Sequence, residues 1–198
     1  MKKAFVTATA VALGLLTAAM AQEDRRSNQT RTEQKGEVGR RDDKGQAVSS
    51  FKDLTDAKFV QMAASGGMAE VKLGQLAADR GGNDAVRKFG QRMVDDHGKA
   101  NKELMALAEK KNWNVSRDLS KKDQTEFDRL SKLRGAEFDR AYAESMLKDH
   151  EEDIALFEAE AKTGQDPDLK AWAARTLPTL KEHLKLARDL GSAKRPER

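Results

Sequence analysis

Residues 86–104 read "VRKFGQRMVDDHGKANKEL", and the spacing of their apolar side chains decides the fold class. Val86, Phe89, Met93, His97 and Leu104 recur at intervals of three, four or seven residues, which places them on one stripe of an α-helix. Charged and polar residues occupy most of the remaining positions. The stretch therefore predicts an amphipathic helix that carries one histidine within its apolar stripe.

Three further segments have the same helical period, and no segment alternates apolar and polar residues as a half-buried strand would. Glycines and a proline mark tight turns near residues 81–82 and 164–167. The four predicted long helices span 56–80, 84–111, 136–163 and 168–190. A short helix is predicted near Lys121, within the crossover that ends at Gly135. The sequence thus predicts an all-α fold, a four-helix bundle with one long crossover containing a short helix.

The first helix is expected to turn a stripe of three-then-four spacing toward the core. Its members are Phe59, Met62, Gly66, Ala69, Leu73 and Leu76. Gly66 and Gly67 are expected to allow a close approach between helices, since glycine has no side chain.

The chain has only three histidines, and each lies in the apolar stripe of its own helix. Glu70 and His97 stand at similar sequence distances before and after the turn at Gly82. His150 and His183 are placed in the same way before and after Gln165. In each hairpin the two distances differ by three positions, which is about 4.5 Å along a helix axis. Three imidazoles and one carboxylate are therefore predicted to share one layer of the bundle.

This layer admits three interpretations. Glu70, His97, His150 and His183 could bind one divalent metal such as zinc or iron, because imidazole and carboxylate groups are ligands for such ions. The same residues could instead form a neutral, hydrogen-bonded core network without metal. At least one histidine could also lie on the surface, if the predicted helical phase is wrong.

Each histidine is directly preceded by an acidic residue: Asp96, Asp149 and Glu182. Neighbouring helical positions point about 100° apart, so these acids are poor direct partners for the metal site. Asp153 lies three residues after His150 and is expected to join it on the same helix face.

The N-terminus, "MKKAFVTATAVALGLLTAAMAQ", combines two lysines, an apolar run and an A-x-A pattern, which predicts a secretory signal peptide over residues 1–21. The run is too rich in alanine and threonine to favour a transmembrane anchor. Residues 22–50 are charged and almost free of large apolar side chains, so we expect a disordered linker there. The folded domain is expected over 51–191 and a disordered tail over 192–198. Because the chain has no cysteine, disulfides and a cysteine-linked lipid anchor are excluded.

The formal net charge is +4, of which two charges leave with the predicted signal peptide. Basic and acidic residues are interspersed and aromatic residues make up 5% of the chain. A nucleic-acid binder would need a contiguous basic surface, so no nucleic-acid partner is expected.

The segments "FVQMAASGGMAEVKLGQLA", "VRKFGQRMVDDHGKANKEL", "FDRAYAESMLKDHEEDIALFEAEA" and "LPTLKEHLKLA" resemble an exported bacterial family. This is domain-of-unknown-function family 4142, whose members are often labelled outer membrane proteins, and the resemblance covers residues 53–190. It implies a ferritin-like bundle in the bacterial envelope, in the periplasm or peripheral to the outer membrane. Ferritin-like di-iron sites use Glu-x-x-His motifs. The residues three before the histidines are Val94, Leu147 and Leu180, so that motif is absent.

Two function classes remain. One is a non-enzymatic envelope module that binds a partner or small ligand or contributes to stress tolerance. The other is a mononuclear metal-binding or metal-dependent redox protein that uses the histidine layer. No nucleophilic triad or glycine-rich phosphate loop is apparent, so no catalytic residue is assigned.

Overall fold

The structure, a computed structural model, describes residue 51 and residues 53–192, which form five helices and no named strand. The helices are α1 (Asp56–Arg80), α2 (Asp84–Lys110), α3 (Lys121–Leu130), α4 (Gly135–Thr163) and α5 (Pro167–Ser192). The predicted all-α fold with a short crossover helix is confirmed. The predicted signal peptide, the linker and residues 193–198 of the tail lie outside the described residues. Ser192, expected in the tail, is the last residue of α5.

Side-chain caps and a glycine with positive φ explain where the helices begin. The Thr55 hydroxyl accepts a hydrogen bond from the backbone N–H of Lys58 at 3.3 Å. The Asn83 side chain accepts one from Val86 N at 3.0 Å. Helix α4 begins at Gly135 with φ +54°, a conformation that glycine adopts without steric cost. These capping residues and the glycine can be recognised in the sequence, and the predicted bounds of the four long helices agree with the structure to within two residues.

The four long helices pack as two antiparallel hairpins. Helices α1 and α2 are joined by residues 81–83, and α4 and α5 by residues 164–166. Helix α1 packs against α2 and α4, and α5 packs against the same two helices, so the bundle is four-sided. The crossover helix α3 packs against α1 and α4 and so covers that edge of the bundle. No helix in residues 53–192 is long and apolar enough to cross a membrane.

Glycines bring α1 and α2 unusually close. A Cβ added to Gly90 would lie 2.6 Å from the Gly74 carbonyl oxygen, and one added to Gly74 would lie 2.7 Å from the Gly90 oxygen. A Cβ at Gly67 would overlap the side-chain amide of Asn101 on α2, so Gly67 makes the predicted close contact. Gly66 does not, because its added Cβ would meet only Asp153 Oδ1, at 3.7 Å.

The apolar core is divided into two clusters, each drawn from all four long helices. One cluster surrounds Phe59, Leu104, Phe157 and Leu180. The other contains Leu73, Met93, Met146 and Ala187, together with Leu130 of α3. Along every long helix, the segment between the two clusters carries Glu70 or a histidine. A polar layer therefore separates two apolar halves of the bundle.

The predicted stripe of α1 is partly wrong. Met62, expected in the core, is 46% exposed, whereas Val60, Ala63 and Gly67 are buried. Compared with the predicted stripe, the buried face of α1 is rotated about the helix axis, and Glu70 lies within this buried face. The three-then-four spacing is compatible with both phases, and the positions of α2 and α4 select the observed one.

Candidate metal centre

Glu70 of α1, His97 of α2, His150 of α4 and His183 of α5 lie together in the polar layer. Their exposures are 2%, 6%, 0% and 0%. The interpretation that at least one histidine lies on the surface is therefore wrong. Each of the four long helices supplies one member, so the hairpin geometry brings together residues that are far apart in the sequence.

The three imidazole rings converge on one another. His183 Nδ1 lies 3.3 Å from His97 Nε2 and 3.3 Å from His150 Nε2. One nitrogen from each ring can be chosen so that all three lie within 4.8 Å of one another, as a shared metal ion would require. We call these three residues the histidine triad. Glu70 is not part of that closest set.

The outward nitrogens of two rings show where the hydrogens lie. His150 Nδ1 donates to the backbone oxygen of Met146 at 2.9 Å, and His183 Nε2 donates to Asp96 Oδ2 at 2.8 Å. A carbonyl and a carboxylate can only accept, so each of these nitrogens carries the hydrogen of its ring. In the neutral rings, His150 Nε2 and His183 Nδ1 are then both bare. They face each other at 3.3 Å with lone pairs and no proton between them.

Glu70 contacts the outer side of the other two rings. Its Oε2 lies 2.8 Å from His97 Nδ1, and its Oε1 lies 3.3 Å from His150 Nδ1. Neither oxygen receives an aligned hydrogen bond within the described part of the chain. A carboxylate this close favours the hydrogen of His97 on Nδ1, which leaves Nε2 bare toward the centre of the triad.

The charges in the layer are unbalanced. Burial alone would raise the pKa of Glu70, but His97 and His150 lower it to about 2. Burial lowers the pKa of His150, and it lowers the pKa of His183 to about 4 despite the hydrogen bond to Asp96. At neutral pH the layer thus holds two neutral rings at these positions beside a buried carboxylate. A buried carboxylate is stabilised by a nearby positive charge, and imidazole nitrogens that converge in this way are ligands for transition-metal ions.

Asp96 has a role that the sequence does not predict. It points away from His97 on its own helix, as expected, but it reaches His183 on the neighbouring helix α5. Burial would raise the pKa of Asp96, but the contacts to His183 and Arg92 lower it, so the group is an ionised acceptor. Arg92 joins Asp96 at 3.2 Å and Glu182 at 3.0 Å on the same surface. The prediction considered only the helix on which each acidic residue lies. A comparison of Asp96 with the neighbouring helix α5 would have found this contact.

Asp153 does not join His150 as predicted. Among the described residues it makes no hydrogen bond or ion pair, and it lies beside Gly66 of α1. Asp149 accepts a hydrogen bond from the Ser145 hydroxyl at 3.2 Å and points away from the triad's bare nitrogens. Both carboxylates instead line a cleft between α1, α3 and α4.

Comparison with known proteins places the domain in a family and supports the fold. Residues 41–190 match the family described as Domain of unknown function (DUF4142). The fold is similar to a crystal structure of a DUF305 fragment from Deinococcus radiodurans, with a TM-score of 0.61 and 15% sequence identity. That similarity covers 68% of this chain and 94% of the other. No curated protein matches the sequence at a significant level.

Proposed function

The chain belongs to the DUF4142 family of domains of unknown function, and for this member we propose that the histidine triad binds a single divalent transition-metal ion. The ligand atoms are His97 Nε2, His150 Nε2 and His183 Nδ1. The proposal concerns binding, and no catalytic residue is assigned.

The observation that carries the proposal is the spacing of the bare ring nitrogens. Zinc binds imidazole nitrogen at about 2.0–2.1 Å in a tetrahedral arrangement, which sets neighbouring ligand nitrogens about 3.3–3.4 Å apart. His183 Nδ1 lies 3.3 Å from each of the other two nitrogens, and all three lie within 4.8 Å of one another. Bare nitrogens at 3.3 Å repel one another, and a cation bound between them would turn this repulsion into attraction.

The surroundings of the triad support the same role. Metal-binding histidines usually donate their other N–H to a carboxylate or a backbone carbonyl, which fixes the tautomer and the ring orientation. Asp96 and the Met146 carbonyl do this for His183 and His150 at 2.8 and 2.9 Å. Glu70 Oε2 lies 2.8 Å from His97 Nδ1, close enough to accept from the third ring after a small rotation, although the present contact is not an aligned hydrogen bond. In this arrangement Glu70 orients a ligand and balances the charge of the ion.

Three imidazoles suit zinc, copper, nickel or iron(II) better than magnesium or calcium, which prefer oxygen ligands. Zinc is the first candidate because Zn²⁺ commonly binds three histidine nitrogens in a tetrahedral arrangement. We further propose that the protein acts in the bacterial envelope, on the grounds of the signal-peptide pattern in residues 1–21. A metal-dependent redox role is the alternative when iron or copper is the resident ion.

The test is metal analysis of the protein lacking residues 1–21, purified without a polyhistidine tag. We expect one equivalent of metal per chain after incubation with zinc and removal of the excess. The apparent stability should rise by about 2.7 kcal/mol when free zinc is 100 times Kd. His150→Leu should abolish both effects, since His150 is fully buried and supplies one of the three ligand nitrogens.

A matched control separates loss of the site from loss of stability. Leu104→Ala removes a fully buried side chain from the apolar cluster next to the layer, and should cost about 2–5 kcal/mol. It should nevertheless retain the zinc-dependent rise. A wild-type protein that binds no metal, with a melting temperature unaffected by zinc or by chelator, would show that the layer is a hydrogen-bonded core network.

A further inference from the structure

A cleft of about 870 Å³ opens between α1, α3 and α4 and has Glu70 at its base. Helix α3 and the segment before it form one wall, because Ser65 of α1 accepts a hydrogen bond from Ser120 N at 2.8 Å and donates one to Asp123 at 2.5 Å. The cleft reaches the buried side of Glu70 from the surface, and the triad lies behind Glu70.

The cleft is strongly acidic in a chain whose overall charge is positive. Seven of its lining residues carry carboxylates and two carry ammonium groups, which gives a formal charge of −5. The formal net charge of the whole chain is +4. A concave site of one sign raises the local concentration of counter-ions and speeds their association.

Three of these carboxylates lie in depth rather than at the rim. Glu70 is 2% exposed and neither of its oxygens receives an aligned hydrogen bond. Asp153 lies beside Gly66, about one helical turn from Glu70, with no partner in the described residues. Asp149 lies one helical turn before Asp153 on α4 and accepts a hydrogen bond from the Ser145 hydroxyl at 3.2 Å. Glu70, Asp149 and Asp153 all line the cleft.

We propose that this cleft is the access route by which a hydrated divalent cation reaches the histidine triad. Asp149 and Asp153 receive the ion, and Glu70, which touches two rings of the triad, passes it inward. This inference rests on the proposed metal site and adds how that site is loaded. Gly66 contributes by leaving the base of the cleft open, since its added Cβ would meet nothing closer than 3.7 Å.

The test measures the rate of metal loading separately from the affinity. Metal-free protein is mixed with Co²⁺ in a stopped-flow spectrometer, and the visible absorption of the histidine-bound ion reports loading. Asp153→Asn is expected to slow loading by at least about threefold, because it removes a carboxyl group that can bind the incoming cation. The equilibrium Kd, measured by chelator competition, should stay within about twofold, because Asp153 is not a ligand of the bound ion. Raising the salt concentration should slow the wild type more than the variant.

The matched control is Asp79→Asn, an exposed carboxylate of α1 outside the cleft, which changes the net charge equally. It should load at the wild-type rate. Gly66→Leu keeps every carboxylate but fills the base of the cleft, and it should also slow loading; this variant serves if Asp153→Asn is misfolded by circular dichroism.

The outcomes distinguish the two proposals. If the wild type binds Co²⁺ but both cleft variants load at its rate, the access route is wrong and the metal site stands. If Asp153→Asn weakens the equilibrium affinity more than tenfold, Asp153 is a ligand and the route as proposed is also wrong. If the wild type binds no metal, the proposed function itself fails.

Discussion

Replacing Asp96 by alanine tests whether the triad is organised for metal binding. Asp96 Oδ2 accepts the Nε2 hydrogen of His183 at 2.8 Å and thereby leaves Nδ1 bare toward the other rings. Without this acceptor, His183 is free to carry its hydrogen on Nδ1 and to donate it to His97 or His150. The metal would then compete with an internal hydrogen bond.

The size of the effect follows from the contact. A hydrogen bond to a charged group contributes about 1.5–3 kcal/mol. The Asp96 side chain is 35% exposed, so solvent screens the interaction and the lower part of that range applies. A loss of about 1.5–2 kcal/mol corresponds to about a 10- to 30-fold weaker Kd for zinc. This agrees with the usual effect of removing an outer partner of a metal-binding histidine, about 10- to 100-fold.

The assay is zinc competition against a chromophoric chelator at pH 7.5, with Glu182→Ala as the control. Glu182 binds the same Arg92 at 3.0 Å but its side chain makes no hydrogen bond or ion pair with the imidazole of His183, so its removal changes the surface charge equally. We expect Glu182→Ala to bind zinc like the wild type, and Asp96→Asn to retain most of the affinity because its amide oxygen can still accept. An Asp96→Ala protein whose Kd lies within twofold of the wild type would refute the assigned tautomer.

Two further predictions concern stability. Burial, with a contribution from Asp56, raises the pKa of Glu160 to about 7 from 4.5, so the folded protein retains a proton that the unfolded chain releases, and stability falls as pH rises between these values. Glu160→Gln should therefore have the same free energy of unfolding in urea as the wild type at pH 4.5. At pH 8 its free energy of unfolding should be higher by about 1–2 kcal/mol, after a discount for solvent screening. Equal free energies of unfolding at pH 8 would contradict this. Gly90→Ala should destabilise by about 1–3 kcal/mol because its Cβ would lie 2.6 Å from the Gly74 oxygen. Gly98→Ala on the same helix meets nothing within 4 Å and should instead stabilise by up to about 1 kcal/mol, so thermal melts of the pair separate crowding from helix propensity.

The sequence predicts the helices and the histidine layer because the helices depend on local residue patterns and the layer depends on sequence distances from the turns. Turn residues such as Gly81 and Gly164 end the helices. In an antiparallel hairpin, two residues at equal sequence distances from the turn lie at the same level along the bundle axis. For this reason residue counts alone are enough to predict that His97, His150 and His183 share one layer.

The contacts made across the bundle could not be predicted in the same way. Met62 is exposed at the cleft because the positions of α2 and α4 fix the rotation of α1, and its own spacing does not. The contact of Asp96 with His183 depends on which helices are neighbours, since α2 lies beside α5. The cleft depends on where the crossover helix packs, and the composition of residues 111–134 does not specify this.

The polar layer also fixes the axial alignment of the two hairpins. The apolar clusters on either side are built from similar leucine, alanine and aromatic side chains, so hydrophobic burial alone would tolerate a slip of one hairpin along the other. A slip of one turn, about 5.4 Å, would set His97 and Glu70 against apolar side chains. It would also break the contacts of His183 with His97 and Asp96 and the contact of Glu70 with His150. Buried polar groups without partners cost about 1–3 kcal/mol each, so the shifted arrangement is strongly disfavoured. A single polar layer can specify the register of a helical assembly in this way, as a buried asparagine does in a coiled coil.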